Sequence, residues 1–175
     1  MVSKRKFNIK GVFAVNVCVF LLAIVMGYFF PDPAVFGLEI LESKAEEISG
    51  LPWWGIMLYL IANNVRAALF LVFFGFIFLS VPLLFFNGYT IGAVISSSEI
   101  GVLNTILLLT PHGIFEIPAI ILSVSLGVLV GSQWFRKPLD FRGVLRYSGR
   151  MFLRIIVPLV VLAGIIEGAL IWILL

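Results

Sequence analysis

The residues of this chain that could do chemistry are few, and the most distinctive lie between two long apolar runs, in the segment Pro111 to Pro118. This segment contains the single histidine of the chain, His112, and a carboxylate, Glu116, four residues later. On a helix that begins near His112 the two side chains share one face, because residues four apart are neighbours along a helix. An imidazole and a carboxylate at the mouth of a membrane span could bind a ligand or pass a proton.

The composition shows what kind of protein must position these groups. Of the 175 residues, 62% are hydrophobic and 12% are charged, and the mean hydropathy is +1.17. Soluble domains are roughly half apolar and one quarter charged. The sequence therefore predicts an all-α, multi-pass protein of the cell membrane, with residues 1–175 forming a single transmembrane domain. The lone Cys18 excludes a disulfide within the chain.

Apolar runs predict about five transmembrane helices, since one span needs about 20 apolar residues. The polar run Asn63 to Arg66 is expected to separate a short outer helix, Trp53 to Ala62, from the second span. Asn87 and Gly88 are expected to form a tight inner turn. The predicted spans are Gly11 to Phe30, Ala67 to Phe86, Tyr89 to Thr110, Ile117 to Trp134 and Phe152 to Leu174.

The distribution of charge predicts the orientation of the chain, because cytoplasmic loops are enriched in lysine and arginine. Basic residues precede the first span and follow the fourth, which places the N-terminus inside and the C-terminus outside. Between the first span and Trp53, the acidic segment Pro31 to Gly50 has an apolar stripe and is predicted to form an amphipathic helix outside the membrane. The basic residues are Lys4, Arg5, Lys6 and Lys10, and then Arg136, Lys137, Arg142, Arg146 and Arg150.

With this topology, several polar side chains would form a cluster in the outer half of the bundle. They are Asn63, Asn64, Arg66, Glu99, Asn104, His112, Glu116 and Glu167. Ionisable groups in hydrocarbon cost about 3 kcal/mol each and usually face the protein interior, a partner or water. Arg66 and Glu116 would form a structural salt bridge, or the cluster would form a ligand site or proton path. Glu99, expected near the midplane, is either a proton relay or a neutral carboxyl satisfied by the preceding serines.

A predicted inner helix carries a basic ridge, which we define as Arg142, Arg146, Arg150 and Arg154. Anionic lipid headgroups would attract such a ridge by about 1 kcal/mol per basic residue. An acidic cytoplasmic protein is the other partner that fits it. No nucleic-acid partner is expected.

Three pairs of glycines, each four residues apart, would let helix backbones approach closely. They are Gly88 and Gly92, Gly127 and Gly131, and Gly164 and Gly168. Such pairs serve packing within one chain or contacts between the copies of a homo-oligomer, and both remain open.

Catalytic motifs do not account for the polar residues. A zinc protease needs a second histidine, and Glu116 has the wrong offset from His112 for a His-Glu-x-x-His motif. The Gly-x-Ser-x-Gly turn of serine hydrolases and the glycine motifs of nucleotide-binding proteins do not occur. The sequence therefore predicts no intrinsic catalysis, no metal site and no cofactor.

The motifs Asn63-Asn64-Val65-Arg66, Asn87-Gly88-Tyr89-Thr90-Ile91-Gly92 and above all Pro111 to Pro118 resemble the stage II sporulation protein M family of prokaryotic membrane proteins. The resemblance covers roughly Leu60 to Gly131. In endospore-forming members it implies a multi-pass component of the complex that remodels septal peptidoglycan, which anchors or localises partner enzymes. It therefore implies a non-catalytic subunit with protein partners that organises a membrane complex. The alternative is a permease-like subunit that moves an ion, lipid or small solute.

Overall fold

Helices form every regular element in the part of the chain that the structure describes, because hydrocarbon offers the backbone no other hydrogen-bond partners. This computed structural model describes residues 9–32, 43, 46–48, 50–135 and 140–174, with the backbone alone for His112 and Leu174. The helices are α1 (Ile9–Phe29), α2 (Trp53–Gly75), α3 (Ser80–Ser97), α4 (Val102–Gly131), α5 (Phe141–Met151) and α6 (Val157–Leu174). A 3₁₀ turn, Ser132–Phe135, follows α4, and a π-helical turn, Phe152–Ile156, joins α5 to α6.

Within the described residues, five helices are long and apolar enough to cross a membrane, in agreement with the predicted number. They are Ile9–Phe29, Trp53–Gly75, Ser80–Ser97, Gly113–Phe135 and Phe141–Ile173. The predicted boundaries of the second and third spans are wrong, because the polar residues that were expected to end helices lie inside them.

The polar run Asn63 to Arg66 lies inside α2 and does not interrupt it. Amide and guanidinium side chains leave the hydrogen bonds of the helix backbone intact, so polarity alone does not end a helix. Asn87 and Gly88 likewise lie inside α3. The breaks fall instead at Phe78, which has φ of 62°, and at Gly101, which has φ of 86°. Both values lie outside the helical region, and glycine adopts such a conformation at little cost.

The three glycine pairs all lie in contacts between helices of the same chain. A Cβ atom on Gly88 of α3 would lie 2.8 Å from the carbonyl oxygen of Phe20 in α1. A Cβ atom on Gly127 of α4 would lie 2.7 Å from Cα of Gly75 in α2. These distances are too short for a real side chain, so the glycines are what allows the backbones to meet. Whether the chain also forms a homo-oligomer stays a prediction.

The third pair sets the direction of the last helix. A Cβ atom on Gly164 would contact Ile61, and a Cβ atom on Gly168 would lie 2.9 Å from Cα of Met57. Because the later residue of α6 contacts the earlier residue of α2, the two helices are antiparallel. By the same criterion α2 runs parallel to α4, and α1 runs parallel to α3. Spans that are two apart in the sequence are therefore parallel, and α6 opposes α2, as successive crossings of a bilayer require.

Helix α4 lies at the centre of the bundle. Val124 and Leu126 are fully buried, the first against side chains of α1, α2 and α3 and the second near α2 and α6. Pro111 and Pro118 lie within this helix, and the apolar piece before Pro111 is too short to cross a bilayer by itself. The predicted fourth span, Ile117 to Trp134, thus corresponds mainly to the C-terminal part of a longer helix.

The predicted outer amphipathic helix, Pro31 to Gly50, lies mostly outside the described residues. Within it, Glu46, Glu47 and Ile48 are helical, and Ile48 is buried in a small cluster with Ile56 and Leu60 of α2. The Tyr59 hydroxyl donates a hydrogen bond to the Glu47 carboxylate. These contacts attach the segment to the beginning of α2.

The contact between α2 and α4 gives the first testable prediction. Gly75→Ala should lower the free energy of unfolding by about 1 to 3 kcal/mol, because the new methyl group would overlap the backbone of Gly127. Gly149→Ala in α5 is the matched control, since nothing lies within 4 Å of its Cβ position. It should instead stabilise the protein by about 0.5 to 1 kcal/mol. Unfolding in mixed detergent micelles measures both changes, and equal stability of the two variants would contradict the close contact.

Candidate functional site

Three polar residues lie half-way along a membrane-length helix. Asn63 is ten residues from the start of α2 at Trp53 and twelve from its end at Gly75. At 1.5 Å per residue these separations are about 15 and 18 Å. Asn64 and Arg66 are on the same turn. Their predicted position before the start of the second span is therefore wrong, because α2 begins well before them.

The side chains of these three residues form a hydrogen-bonded chain. Arg66 Nη2 donates to Asn63 Oδ1 at 3.3 Å, and Asn63 Nδ2 donates to Asn64 Oδ1, also at 3.3 Å. The last donor, Asn64 Nδ2, is buried and has no acceptor among the atoms that the structure describes. Each side chain in this series donates to the next, beginning with the guanidinium group. The series therefore ends in a donor, Asn64 Nδ2.

The polar turn of α2 borders a cavity of about 400 Å³ between α2, α3, α4 and α6. Its polar wall consists of Asn63, Asn64, Asn87 and Glu116. Apolar side chains form most of the remaining wall, among them Ala67, Phe70, Phe74, Leu83, Ile120 and Val160. The structure thus brings three residues of the predicted cluster to one cavity and adds Asn87 from α3.

Two other members of the predicted cluster lie elsewhere. Glu99 is exposed in the turn between α3 and α4, so its predicted place near the midplane is wrong. The chain turns there because α3 ends at Ser97 and Gly101 has a positive φ. Asn104 is exposed in the first turn of α4, and its Nδ2 donates to the Ile100 carbonyl oxygen at 2.8 Å. Neither side chain contributes to the cavity wall.

The remaining ionisable residues are close to the positions that the sequence indicates. His112 lies in α4, one turn before Glu116, and its side chain is outside the described atoms. Glu116 is half-buried in the cavity wall and has an interaction partner. Glu167 is half-buried in α6, is also partnered, and does not line the cavity. A salt bridge between Arg66 and Glu116 stays a prediction.

The cavity has the composition of a binding site. It combines amide donors and acceptors with one carboxylate, and its apolar wall would contact the body of a ligand. Its volume lies at the lower end of the usual range for ligand pockets, about 300 to 1,000 Å³. Among the described residues, no group of three histidine, cysteine, aspartate or glutamate side chains could hold a metal ion.

The basic ridge follows one side of α5 and of the π-helical turn. Arg142, Arg146 and Arg150 are exposed on α5, and Arg154 is exposed in the turn that follows. Asp140 caps the helix, since its Oδ1 accepts a hydrogen bond of 3.0 Å from the Gly143 amide. The opposite side of α5 is buried through Val144, which packs in a cluster with Leu129 and Val130 of α4.

Polar contacts that the sequence analysis missed hold α1 against α4. Asn16 Nδ2 donates to Ser125 Oγ at 3.0 Å, and Ser125 Oγ donates to the Ile121 carbonyl oxygen at 2.6 Å. Both side chains are buried. An asparagine in the middle of an apolar run is a usable signal, because an amide in hydrocarbon is expected to face another helix. The sequence did not indicate Asn87 as a cavity residue, because Asn87 and Gly88 together are typical of a turn.

This contact gives the second prediction. Asn16→Ala should lower the free energy of unfolding by about 1 kcal/mol, which is typical of a hydrogen bond between membrane helices. Cys18→Ala on the same helix is the control, because Cys18 is exposed and should change stability little. The same micelle titration measures both variants. A loss for Cys18→Ala as large as that for Asn16→Ala would contradict the assignment.

Comparison with known proteins identifies the family of the chain. A family model described as SpoIIM, stage II sporulation protein M, matches residues 14–170. The match extends well beyond Leu60 to Gly131, the region in which the sequence motifs lie, and includes all five membrane-length helices in whole or in part. No curated protein and no solved structure matches the chain. Since the family model covers nearly the whole sequence, the chain belongs to the stage II sporulation protein M family.

Proposed function

We propose that this protein is a non-catalytic membrane subunit that organises a complex, and that the basic ridge of α5 is one of its docking surfaces. The observation that carries this proposal is the fixed position of the ridge. Val144 is fully buried and Ser148 nearly so, while Arg142, Arg146 and Arg150 are exposed. A ridge held in this way has a fixed backbone, so that binding a partner orders only the arginine side chains.

Guanidinium groups suit a protein partner with clustered carboxylates. The planar fork of arginine binds a carboxylate through two parallel hydrogen bonds, which a lysine cannot reproduce. Family membership supports the same role, since the family name is associated with a complex that remodels the cell envelope. Anionic lipid headgroups are the competing partner, because they require positive charge but not a fixed geometry.

The proposed orientation follows from the positions of the basic residues. Lys10 lies at the start of α1, and the ridge lies at the start of the α5 and α6 segment. Because cytoplasmic loops are enriched in basic residues, this distribution supports an inside position for both. Alternating spans then place the turn between α3 and α4, with Glu99, outside. The C-terminal end of α6 would also be outside.

A permease-like role is the second candidate, and the cavity at the middle of the bundle favours it. Transport sites commonly lie near the bilayer midplane and contain ionisable or amide side chains. Glu116, Asn63 and Asn64 meet that description. A transport route requires water to reach this cavity from at least one side of the membrane.

The third prediction tests the orientation and the route together. In a Cys18→Ala background, single cysteines replace Ser43, Glu99 and Gly149, which are exposed, and react with an impermeant thiol reagent in sealed vesicles. Cysteines at Ser43 and Glu99 should react from one side and the cysteine at Gly149 from the other. Reaction of Glu99→Cys from the side of Gly149→Cys would show that α3 does not cross.

In the same experiment, Ala67→Cys reports on the cavity. Ala67 lines it, whereas Leu69 is exposed on the same helix but does not line it. Selective reaction at Ala67→Cys is the result that transport requires. Equal protection of both cysteines would remove the permease alternative.

The fourth prediction separates the two partners of the ridge. Replacing Arg142, Arg146 and Arg150 together by lysine keeps the net charge but removes the bidentate fork. If the ridge binds carboxylates, the triple variant should lose protein partners that copurify from membranes, while its binding to vesicles with anionic lipid should change less than twofold. An unchanged set of partners would contradict protein docking and leave the ridge as a lipid anchor.

A further inference from the structure

One polar atom in the wall of the cavity has no partner. Asn64 lines the cavity, and its Nδ2 is buried without a hydrogen-bond acceptor among the atoms that the structure describes. Leaving such a donor unpaired costs roughly 1 to 3 kcal/mol, so buried polar groups nearly always have a partner. A buried, unpaired donor in the wall of a cavity therefore indicates that a ligand with an acceptor atom occupies the cavity.

The other polar residues of the wall show what this ligand must offer. Asn63 accepts from Arg66 and donates to Asn64. Asn87 Nδ2 donates to a carbonyl oxygen of its own helix at 2.9 Å, so Asn87 Oδ1 is the atom left to accept a hydrogen bond. The described wall thus offers a donor on α2 and an acceptor on α3. A hydroxyl group matches both, because it donates one hydrogen bond and accepts others.

The charges of the wall indicate an uncharged ligand. Among the described residues that line the cavity, Glu116 alone is ionisable, and it has an interaction partner. A charged group half-way across a membrane needs a counter-charge or water. The amides of Asn63, Asn64 and Asn87 supply hydrogen bonds but no counter-charge, so an alcohol fits this wall better than an ammonium group or a carboxylate does.

The remaining wall suits an apolar chain. Phe70 and Phe74 line the cavity with stacked rings whose centroids are 6.0 Å apart. Phe74 is ten residues beyond Asn64, or about 15 Å along α2, so this part of the wall extends well past the amides. Ala67 of α2 and Leu83 of α3 line the cavity and are exposed, so it opens toward the outside of the bundle, where a membrane has its lipids.

We propose that this cavity binds a neutral, hydroxyl-bearing amphiphile that enters from the bilayer. The hydroxyl oxygen accepts a hydrogen bond from Asn64 Nδ2, and Asn87 Oδ1 is the acceptor for the hydroxyl hydrogen. The apolar chain of the ligand lies against Phe70, Phe74 and Leu83. Binding requires neither transport of the ligand nor docking at the basic ridge, so the inference is independent of both candidate functions.

Photolabelling of the whole protein in vesicles of phosphatidylcholine tests the site. The probe is decanol with a photoreactive diazirine in its chain, and mass spectrometry locates the adducts, which should lie on Phe70, Phe74 or Leu83. Unlabelled decanol, its methyl ether and decane then compete with the probe. The ether accepts a hydrogen bond but donates none, and decane does neither. Decanol should compete about tenfold better than decane at equal concentration in the bilayer, and the ether should be intermediate.

Two amide variants separate the two hydrogen bonds. Asn64→Leu removes the donor and should reduce the competition by decanol and by the ether toward that by decane. Asn87→Leu removes the acceptor and should reduce the competition by decanol to that by the ether, which itself should not change. Asn104→Leu is the matched control, because Asn104 does not line the cavity, and it should change neither.

Filling the cavity tests the site without changing an amide. Ala67→Phe should abolish the saturable adducts, whereas Leu69→Phe, on the same helix but outside the cavity wall, should preserve them. Equal competition by decanol, the ether and decane would overturn the proposal and leave lipid chains as the occupant. Failure of every probe to give saturable adducts in the unaltered protein would also overturn it and leave water as the occupant. Neither result bears on partners of the basic ridge.

Discussion

The contact between Gly75 of α2 and Gly127 of α4 is the interaction on which the rest of the bundle depends. At this point the two backbones approach so closely that no Cβ atom fits. Without a hydrophobic driving force between helices in lipid, such close packing supplies much of the attraction. It fixes α2 against the central helix at the level where α2 ends.

The second glycine contact joins a different pair of helices. Gly88 and Gly92 hold α3 against α1, whereas α2 remains on α4. A turn of four residues joins α2 to α3, so the end of α2 lies close to the start of α3. Further from the turn, the two helices are held by different neighbours. The cavity lined by Asn63, Asn64, Asn87 and Glu116 lies where the two helices diverge. Its polar wall therefore depends on glycines that do not themselves line it.

The sequence predicted the helix contacts better than it predicted the helix ends. Hydropathy gave the number of spans, and spacing correctly indicated that the glycine pairs lie at helix contacts. The boundaries failed because Asn63 and Arg66 were interpreted as breaks, although a polar side chain does not prevent helical hydrogen bonding. The actual break at Phe78 has no local signal, since positive φ is unfavourable for phenylalanine and must be imposed by packing.

The same error decided how the polar residues were placed. Moving the start of the second span from Ala67 to Trp53 shifts Asn63 and Arg66 from a position before the span to the middle of a membrane-length helix. Glu99 moves the opposite way, from the middle to an exposed turn. Residue types alone identified Asn63, Asn64 and Glu116 as candidates, but their depth depends on helix ends that hydropathy defines poorly.

The depth of Arg66 changes what its charge implies. Near the surface, an arginine can reach headgroups and water, and its presence carries little information about partners. Half-way along a membrane-length helix such a charge is costly unless polar groups compensate it, and one hydrogen bond to a neutral amide compensates only part of the cost. Burying the guanidinium deeper would remove it from lipid but would also require a paired acceptor inside the bundle. Arg66 is exposed, donates to Asn63 and interacts electrostatically with Tyr59, whose hydroxyl binds Glu47, so the chain itself supplies polar neighbours on this face of α2.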